Sequence, residues 1–189
     1  AERDFDMAKL VYDDTGRLLF TKEMKEEYTI LFPTMLPVHF GLMARILETE
    51  GFHVEMLTTN HRGIVDEGLK YVHNDTCYPA LLVIGQLIDA VKSGKYDMHK
   101  VALLITQTGG GCRASNYIHL LRKALEKAGL SYIPVISVNL SGLEPNPGFK
   151  LGLNTLRKAV FAMMYGDIIV QTANQVRPYE VSRGQTDET

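Results

Sequence analysis

The chain has 189 residues, a formal net charge of −2 at pH 7, 46% hydrophobic residues and 22% charged residues. This length suits one well-packed domain, and the composition is typical of a globular protein. The small net charge, without long runs of either sign, argues against nucleic acid or an anionic membrane as a partner. Because the sequence has neither a membrane-spanning apolar run nor a secretory signal, we expect a cytoplasmic protein.

The beginning of the chain predicts a separate arm. The chain starts at Ala1 without an initiator methionine, and its first charged residues do not resemble the first strand of a domain. We therefore expect a piece of a longer chain. Alternating residues around an Asp-Asp-Thr-Gly turn predict a hairpin within 8–21. The resulting division is an N-terminal arm (1–27), a single α/β domain (28–180) and a frayed tail (181–189).

Strand and helix patterns alternate through this domain. Apolar runs predict four buried strands, at 28–33, 53–58, 100–106 and 132–139. Helical spacing predicts five helices, at 37–51, 62–72, 78–94, 114–129 and 150–176, the last of them long and amphipathic. Either Asp75 or Thr76 is expected to cap the third helix. This order predicts a three-layer, Rossmann-like or flavodoxin-like α/β fold, in which a mostly parallel sheet has helices on both faces.

A glycine-rich loop, "QTGGGCRASNY" at 107–117, lies between a predicted strand and a predicted helix. Sheets of this kind bind ligands at the carboxyl ends of their strands, which is where this loop would lie. Gly109 to Ala114 fit the G-x-G-x-x-A dinucleotide pattern, but the next strand ends in Asn139 rather than in a ribose-binding carboxylate. No G-x-x-x-x-G-K-[ST] motif occurs, which excludes a Walker-type ATPase.

The two cysteines of the chain, Cys77 and Cys112, offer two further interpretations. Cys112, at a helix N-terminus beside Arg113, would have its thiolate favoured and could act as a nucleophile. Alternatively, both cysteines open helices and could ligate an iron–sulfur cluster, which the glycines would allow to approach the backbone. Two buried thiols are the remaining alternative. With no C-x-x-C pair, a complete metal site within this chain is not supported.

A nucleophilic cysteine needs a base, and six histidines could supply one. None is marked out by its spacing from Cys112. They are His39, His53, His61, His73, His99 and His119.

Two segments resemble the 2-hydroxyacyl-CoA dehydratase superfamily. They are "GLKYVHNDTCYPALLVIGQLIDA" at 68–90 and "LITQTGGGCRASNYIHLLRKAL" at 104–125. That superfamily includes the 2-hydroxyglutaryl-CoA dehydratase-type subunits and the double-cubane cluster proteins. The chain is most similar to the C-terminal region of the long acyl-CoA dehydratase activases. The resemblance extends from about Tyr28 to Glu180.

The resemblance implies that Cys77 and Cys112 hold a [4Fe-4S] or related cluster. In this family an ATP-hydrolysing activator passes a low-potential electron to the cluster protein, and the dehydratases use it to form a ketyl radical from a 2-hydroxyacyl-CoA. Two departures limit what can be transferred. Family sites generally use three or more cysteines per subunit, so further ligands must come from another segment, a partner chain or a non-cysteine group. The actin-like ATPase part is also absent, so ATP-driven activation is not assigned to this chain.

The sequence therefore predicts an iron–sulfur module for low-potential electron transfer, with Cys77 and Cys112 close together at the carboxyl edge of the sheet. The alternatives are a thiol-dependent enzyme using Cys112, and an interaction domain with a vestigial site. The expected partners are the remaining domains of an activase-like chain or a dehydratase, an acyl-CoA, and a second copy of the chain.

The residues expected to contact the cofactor come from the glycine loop and the helix after it. Arg113, Asn116 and Tyr117 share one helical face, where Arg113 would offset the negative charge of a cluster or of an acyl-CoA group. Alternatively, Asn116 and Tyr117 only tie down the loop by hydrogen bonds. The full set is Gly109, Gly110, Gly111, Arg113, Asn116 and Tyr117.

Overall fold

The computed structural model describes residues 10–73, 75–107, 116–139, 144 and 146–188. The N-terminal part contains the strands β1 (Val11–Tyr12) and β2 (Leu18–Leu19) and the helix α1 (Lys22–Glu27). The elements that follow are β3 (Thr29–Pro33), α2 (Pro37–Thr49), β4 (His53–Leu57), α3 (Gly63–Tyr71), α4 (Tyr78–Lys92), β5 (Val101–Gln107), α5 (Tyr117–Lys127), β6 (Val135–Asn139) and α6 (Leu153–Val176). Two 3-10 turns, Arg177–Tyr179 and Gln185–Asp187, come after α6.

The main sheet has four parallel strands in the order β4-β3-β5-β6. Ile30 of β3 is in register with Val54 on one side and Ala102 on the other. The chain moves outward from β3 to β4 and then returns to the opposite side of β3 with β5. The crevice at such a reversal, outside the carboxyl ends of the strands, is where open α/β sheets bind ligands. The predicted α/β fold with a mostly parallel sheet is confirmed.

Alternating strand residues pack into two separate hydrophobic clusters, because successive side chains of a strand point to opposite faces. Leu31 and Leu103 join the cluster under α4 and α5. Ile30 and Leu104 join the cluster on the other face, which α1 and α2 cover. Helix α3 packs against α4, and α6 packs against α2. The predicted helices on both faces of the sheet are therefore present.

The N-terminal hairpin forms as predicted, with β1 and β2 antiparallel. The residues after it, which the sequence assigned to the arm, contribute to the core. Phe20 and Met24 are fully buried in the cluster that α1 and α2 cover. The amide of Phe20 donates to Asn146 Oδ1 at 3.1 Å, and the amide of Gly148 donates to the Phe20 carbonyl at 2.9 Å. These contacts attach residues 18–27 to the loop before α6.

The last residues, which were expected to fray, form a closed turn as far as Glu188. Glu180 accepts hydrogen bonds from the amides of Gly184 and Thr186, at 3.0 and 2.8 Å. Arg177 pairs with Asp187 at 2.5 Å.

Candidate functional site

The two segments that carry the cysteines meet at the carboxyl edge of the sheet. Cys77 precedes α4, and Tyr117 is the first residue of α5, the helix that follows the glycine loop. The Cys77 Sγ lies 3.4 Å from the Tyr117 hydroxyl oxygen, and either group can donate the hydrogen bond. Tyr117 is 6% exposed, and Cys77 is half-buried and packs against the cluster under α4 and α5. Residues 40 positions apart in the sequence thus share one contact.

Most of the glycine loop lies outside the described residues. Gly109, Gly110, Gly111, Cys112 and Arg113 are all among residues 108–115, so their predicted roles stay predictions. The ends of the loop are fixed at Gln107, where β5 ends, and at Asn116. Because Cys112 is five residues from Tyr117, chain length limits their Cα separation to about 18 Å.

Asn116 and Tyr117 take different positions at the start of α5. Asn116 is the exposed N-cap residue, and its side chain makes no capping hydrogen bond within the described part of the chain. The Tyr117 side chain is buried and contacts Cys77. The structure thus brings Tyr117, but not Asn116, into contact with a predicted ligand.

The N-cap of α4 is Cys77 itself, which corrects the expectation that Asp75 or Thr76 caps this helix. The amide of Thr76 bonds to the His73 carbonyl in a turn, so the helix begins only after Cys77. Within the described residues, no side chain caps this helix. Because a helix N-terminus carries partial positive charge, the Cys77 thiol lies beside that charge.

A close crossing of α3 and α4 holds the turn that leads to Cys77. A Cβ built at Gly85 would lie 2.1 Å from the Ile64 carbonyl oxygen, and one at Gly68 would lie 2.5 Å from the Leu81 carbonyl oxygen. Glycine at both positions lets the two backbones approach more closely than any other residue would allow. The connection between the helices is therefore short and fixed at both ends.

Cys77 suits a single ligand position of a cluster. It is a half-buried thiol at the positive end of a 15-residue helix, beside a hydroxyl group that can donate to sulfur. No group of three or more His, Cys, Asp or Glu side chains that could hold a metal ion occurs within the described ranges. A four-ligand cluster would therefore need Cys112 and two further ligands from elsewhere.

A cavity of about 340 Å³ lies beside the N-terminus of α4, outside the carboxyl ends of β3 and β4. The polar residues that line it include Thr34, Thr59, Asn60, His61, Arg62 and Tyr78. Sequence reasoning did not single out these residues as a site. The signal for them was polar residues directly after two buried strands, at the edge where α/β sheets bind ligands.

Gln86 fixes one wall of this cavity. Its amide nitrogen donates to the carbonyls of Leu57 and Thr59, at 3.2 and 2.7 Å, and its Oε1 accepts from the Thr34 amide at 3.2 Å. The Thr34 hydroxyl also donates to the Leu57 carbonyl. These bonds join the segments after β3 and β4 to α4, so this wall of the cavity is held in place by hydrogen bonds to the backbone.

The cavity is lined by a cationic side chain, that of Arg62. Arg62 is exposed and has no ion-pair partner within the described part of the chain. His61 Nε2 lies 3.2 Å from Asp89 Oδ2, so this imidazole has an acidic partner. An unpaired guanidinium beside hydroxyl and amide groups suits an anionic ligand.

A larger cavity, of about 690 Å³, lies between the hairpin and α5. Its cations are already paired, because Glu144 lies 2.7 Å from Arg17 and 2.6 Å from Arg122. This network attaches the hairpin to the domain. The smaller cavity has the better claim to be a binding site, since it adjoins Tyr78, the residue after Cys77, and contains an unpaired arginine.

Four of the six candidate bases have side-chain contacts, and two of these are His61 with Asp89 and His73 with Asp75, at 3.2 and 3.3 Å. The buried His39 lies under α6 and bonds to Asp167 at 3.0 Å. The ring of His99 stacks on Tyr132 with 5.0 Å between centroids.

Comparison of the chain with models of protein families, with curated proteins and with solved structures found no match. The resemblance to the dehydratase superfamily therefore stays a prediction. Among the described residues, no helix combines the length and apolar character that crossing a membrane requires.

Proposed function

We propose that the chain is an iron–sulfur-cluster module of a cytoplasmic 2-hydroxyacyl-CoA dehydratase/activase-type system, with low-potential electron transfer as its role. Cys77 and Cys112 are the proposed ligands. The observation that carries the proposal is the 3.4 Å contact between Cys77 Sγ and the Tyr117 hydroxyl, which joins the two segments that bear the cysteines. Because α/β sheets place ligands at this edge, the position of the contact also supports a binding role.

The residues around the proposed site have separate tasks. The N-terminus of α4 favours the Cys77 thiolate that binding iron requires. With Cys77 as a thiolate, the Tyr117 hydroxyl would donate to the sulfur, and hydrogen bonds to cluster sulfurs help to set the reduction potential. A cluster held there supplies one-electron chemistry. The remaining ligands come from Cys112 and from the rest of an activase-like chain or a dehydratase partner.

The adjoining cavity is the proposed site for the anionic part of an acyl-CoA. Arg62 provides a charge that has no ion-pair partner within the described ranges, and the hydroxyls of Thr34 and Thr59 are among the groups that line the same space. Gln86 keeps these groups in position through its three hydrogen bonds to the backbone. Arg113, whose loop precedes Tyr117, is proposed to add a second positive charge.

Anaerobic reconstitution tests the cluster. The protein is incubated with ferrous iron and sulfide without oxygen, desalted, and analysed for bound iron, bound sulfide and absorbance from thiolate-to-iron charge transfer. We expect bound cluster in the parent, and loss of most of it in Cys77→Ser and Cys112→Ser. A parent protein without iron, or a Cys77→Ser variant that keeps as much iron as the parent, contradicts the proposal.

Tyr117→Phe is the matched control, because it removes the hydroxyl and leaves both thiols. We expect this variant to retain its cluster with a lower reduction potential, since a donor to sulfur has been lost. Alkylation of the colourless protein separates the alternatives. Fast reaction at Cys112 supports a thiol-dependent enzyme, whereas two inert thiols support an interaction domain.

A further inference from the structure

Helix α6 exposes a surface that a helix of a monomer seldom leaves in water. Three of its 24 residues are buried, namely Thr155, Ala162 and Gly166. Its exposed apolar side chains range from 44% to 85% exposure, and they are Leu153, Leu156, Val160, Phe161, Met163, Met164, Tyr165, Ile168, Ile169 and Val176. A helix with apolar residues around most of its circumference is normally covered by other parts of a protein.

The face that α2 covers is narrow and built from small residues. Thr155, Ala162 and Gly166 follow one another at intervals of seven and four, so they lie on a single helical face. A Cβ built at Gly166 would lie 2.4 Å from His39 Cδ2, which shows how closely this face meets α2. The large apolar residues lie on the rest of the helix. Packing inside the domain therefore does not use them.

The exposed area is large enough for a stable interface. Ten large apolar residues, about half exposed, present on the order of 1,000 Å² if each has roughly 200 Å² when fully exposed. The largest apolar patch of a typical monomer has roughly 300–600 Å². A standard protein–protein interface buries about 800 Å² on each partner.

The charges of α6 favour a protein partner over a lipid surface. Helices that lie in a membrane interface are rich in Lys and Arg on their polar face. Helix α6 has two cationic residues, Arg157 and Lys158, and Lys158 lies 3.2 Å from Glu50. Arg157 bonds to Asn154 Oδ1 at 3.3 Å and is the one cation of this helix without an ion pair in the described part of the chain, which is too few for attraction to anionic lipid.

We propose that α6 packs antiparallel against α6 of a second copy of this chain, across a two-fold axis near Ala162. A two-fold interface needs a self-complementary surface, because each residue meets a partner at the mirrored position. Arg157 and Asp167 each lie five positions from Ala162, so each would face the opposite charge of the partner subunit. The same symmetry pairs Val160 with Met164 of the partner subunit.

Arg157 lies on the side of α6 opposite α2, whereas Asp167 lies at the edge of the face that α2 covers, where it bonds to His39. Counting about 100° per residue from Gly166, Asp167 lies about 100° around the helix and Arg157 about 180° around it. The Asp167 side chain is 77% exposed. Its Oδ1 bonds to His39 Nε2, which leaves Oδ2 for Arg157 of the partner subunit. The dimer would thus have an apolar centre with one ion pair at each end.

Sedimentation velocity across a range of protein concentrations tests the dimer. We expect a monomer–dimer equilibrium in the parent, and a monomer at all of these concentrations in Met164→Glu. The matched control is Leu69→Glu, which places the same charge at an exposed apolar position of α3 and should leave the dimer intact. A monomeric parent, or a dimer that Met164→Glu does not weaken, overturns the proposal.

A charge exchange tests the antiparallel register without altering the apolar face. Arg157→Asp and Asp167→Arg each place like charges opposite one another, so each should weaken self-association about tenfold. When the two variants are mixed, every facing pair is again of opposite charge, and the heterodimer should form with nearly the affinity of the parent. Two weakened variants that do not restore each other contradict this register.

Discussion

Helices α4 and α6 are both rich in apolar residues, yet the structure uses them in opposite ways. Ten of the 15 residues of α4 are buried, whereas three of the 24 residues of α6 are. Helix α4 lies between the sheet and α3, so its apolar residues face protein on more than one side. Helix α6 contacts α2 through one stripe of small residues. A similar apolar content therefore does not give a similar burial. The neighbours that a helix contacts decide how much of its apolar surface is covered, and α2 covers only one face of α6.

The largest difference should appear when one apolar side chain is removed from each helix. Leu87→Ala in α4 empties a fully buried position and should lower the free energy of unfolding by about 3 kcal/mol. Ile168→Ala in α6 removes an exposed side chain and should change it by less than about 0.5 kcal/mol in the monomer. Urea unfolding at concentrations below dimerisation measures both. Equal losses would mean that α6 is already covered within one chain.

Substitution of the glycines where helices cross should have the next largest effect on the free energy of unfolding. Gly85→Ala forces a Cβ against the Ile64 carbonyl oxygen, which belongs to the backbone and cannot turn away, so we expect a loss of about 2 kcal/mol. Gly41→Ala is the matched control, because it lies within α2 and its Cβ would meet nothing within 4 Å. It should stabilise the protein by about 0.5–1 kcal/mol. Thermal unfolding of the two variants decides whether the α3–α4 approach requires glycine.

Gly166→Ala should have a smaller effect than Gly85→Ala. The new Cβ meets the ring of His39, a side chain that can shift, rather than a backbone carbonyl. Better helix propensity offsets part of the clash, which leaves a net loss of about 1 kcal/mol. Chemical unfolding provides the measurement. A variant more stable than the parent would show that α6 lies less closely against α2 than the structure has it.

The smallest effect should come from pH, which acts on the ion pair that attaches α6. Hydrogen bonds from Thr155 and Lys158 hold the pKa of Glu50 below its ordinary value of 4.5. A lowered pKa in the folded state stabilises the fold above the unfolded pKa, and this contribution is lost as the pH falls through the folded pKa. Below about pH 4.5, the amides of α6 should therefore exchange faster relative to those of α4, after correction for intrinsic rates.

An ion pair on α4 provides an internal control for the effect of pH on α6. Lys92 of α4 bonds to Glu67, whose pKa is also lowered, chiefly by its hydrogen bond with Lys70. The core still holds α4 when that pair is protonated, because ten of its residues are buried. If the amide exchange rates of α4 and α6 increase equally at low pH, the difference in burial does not protect α4 more than α6.

Predictions for the site were correct where they depended on neighbouring residues in the sequence, and wrong or missing where they depended on contacts between distant segments. The sequence predicted the strand before the glycine loop and the helix after it, because continuous apolar and helical patterns are local. It placed the α4 cap at Asp75 or Thr76 from residue type alone, whereas the turn from His73 delays the helix until after Cys77. The sequence did not predict the cavity around Arg62, because the residues that line it come from segments far apart in the chain.

The sequence by itself determined the α/β class, the parallel sheet and the N-terminal hairpin, because side-chain periodicity depends on residues within one turn or strand. Only the tertiary structure decided the strand order β4-β3-β5-β6, the contact between Cys77 and Tyr117, and the burial of α4 beside the exposure of α6. These features join residues tens of positions apart. A periodic pattern records which face of an element is apolar, but the packing of the whole chain decides what that face meets.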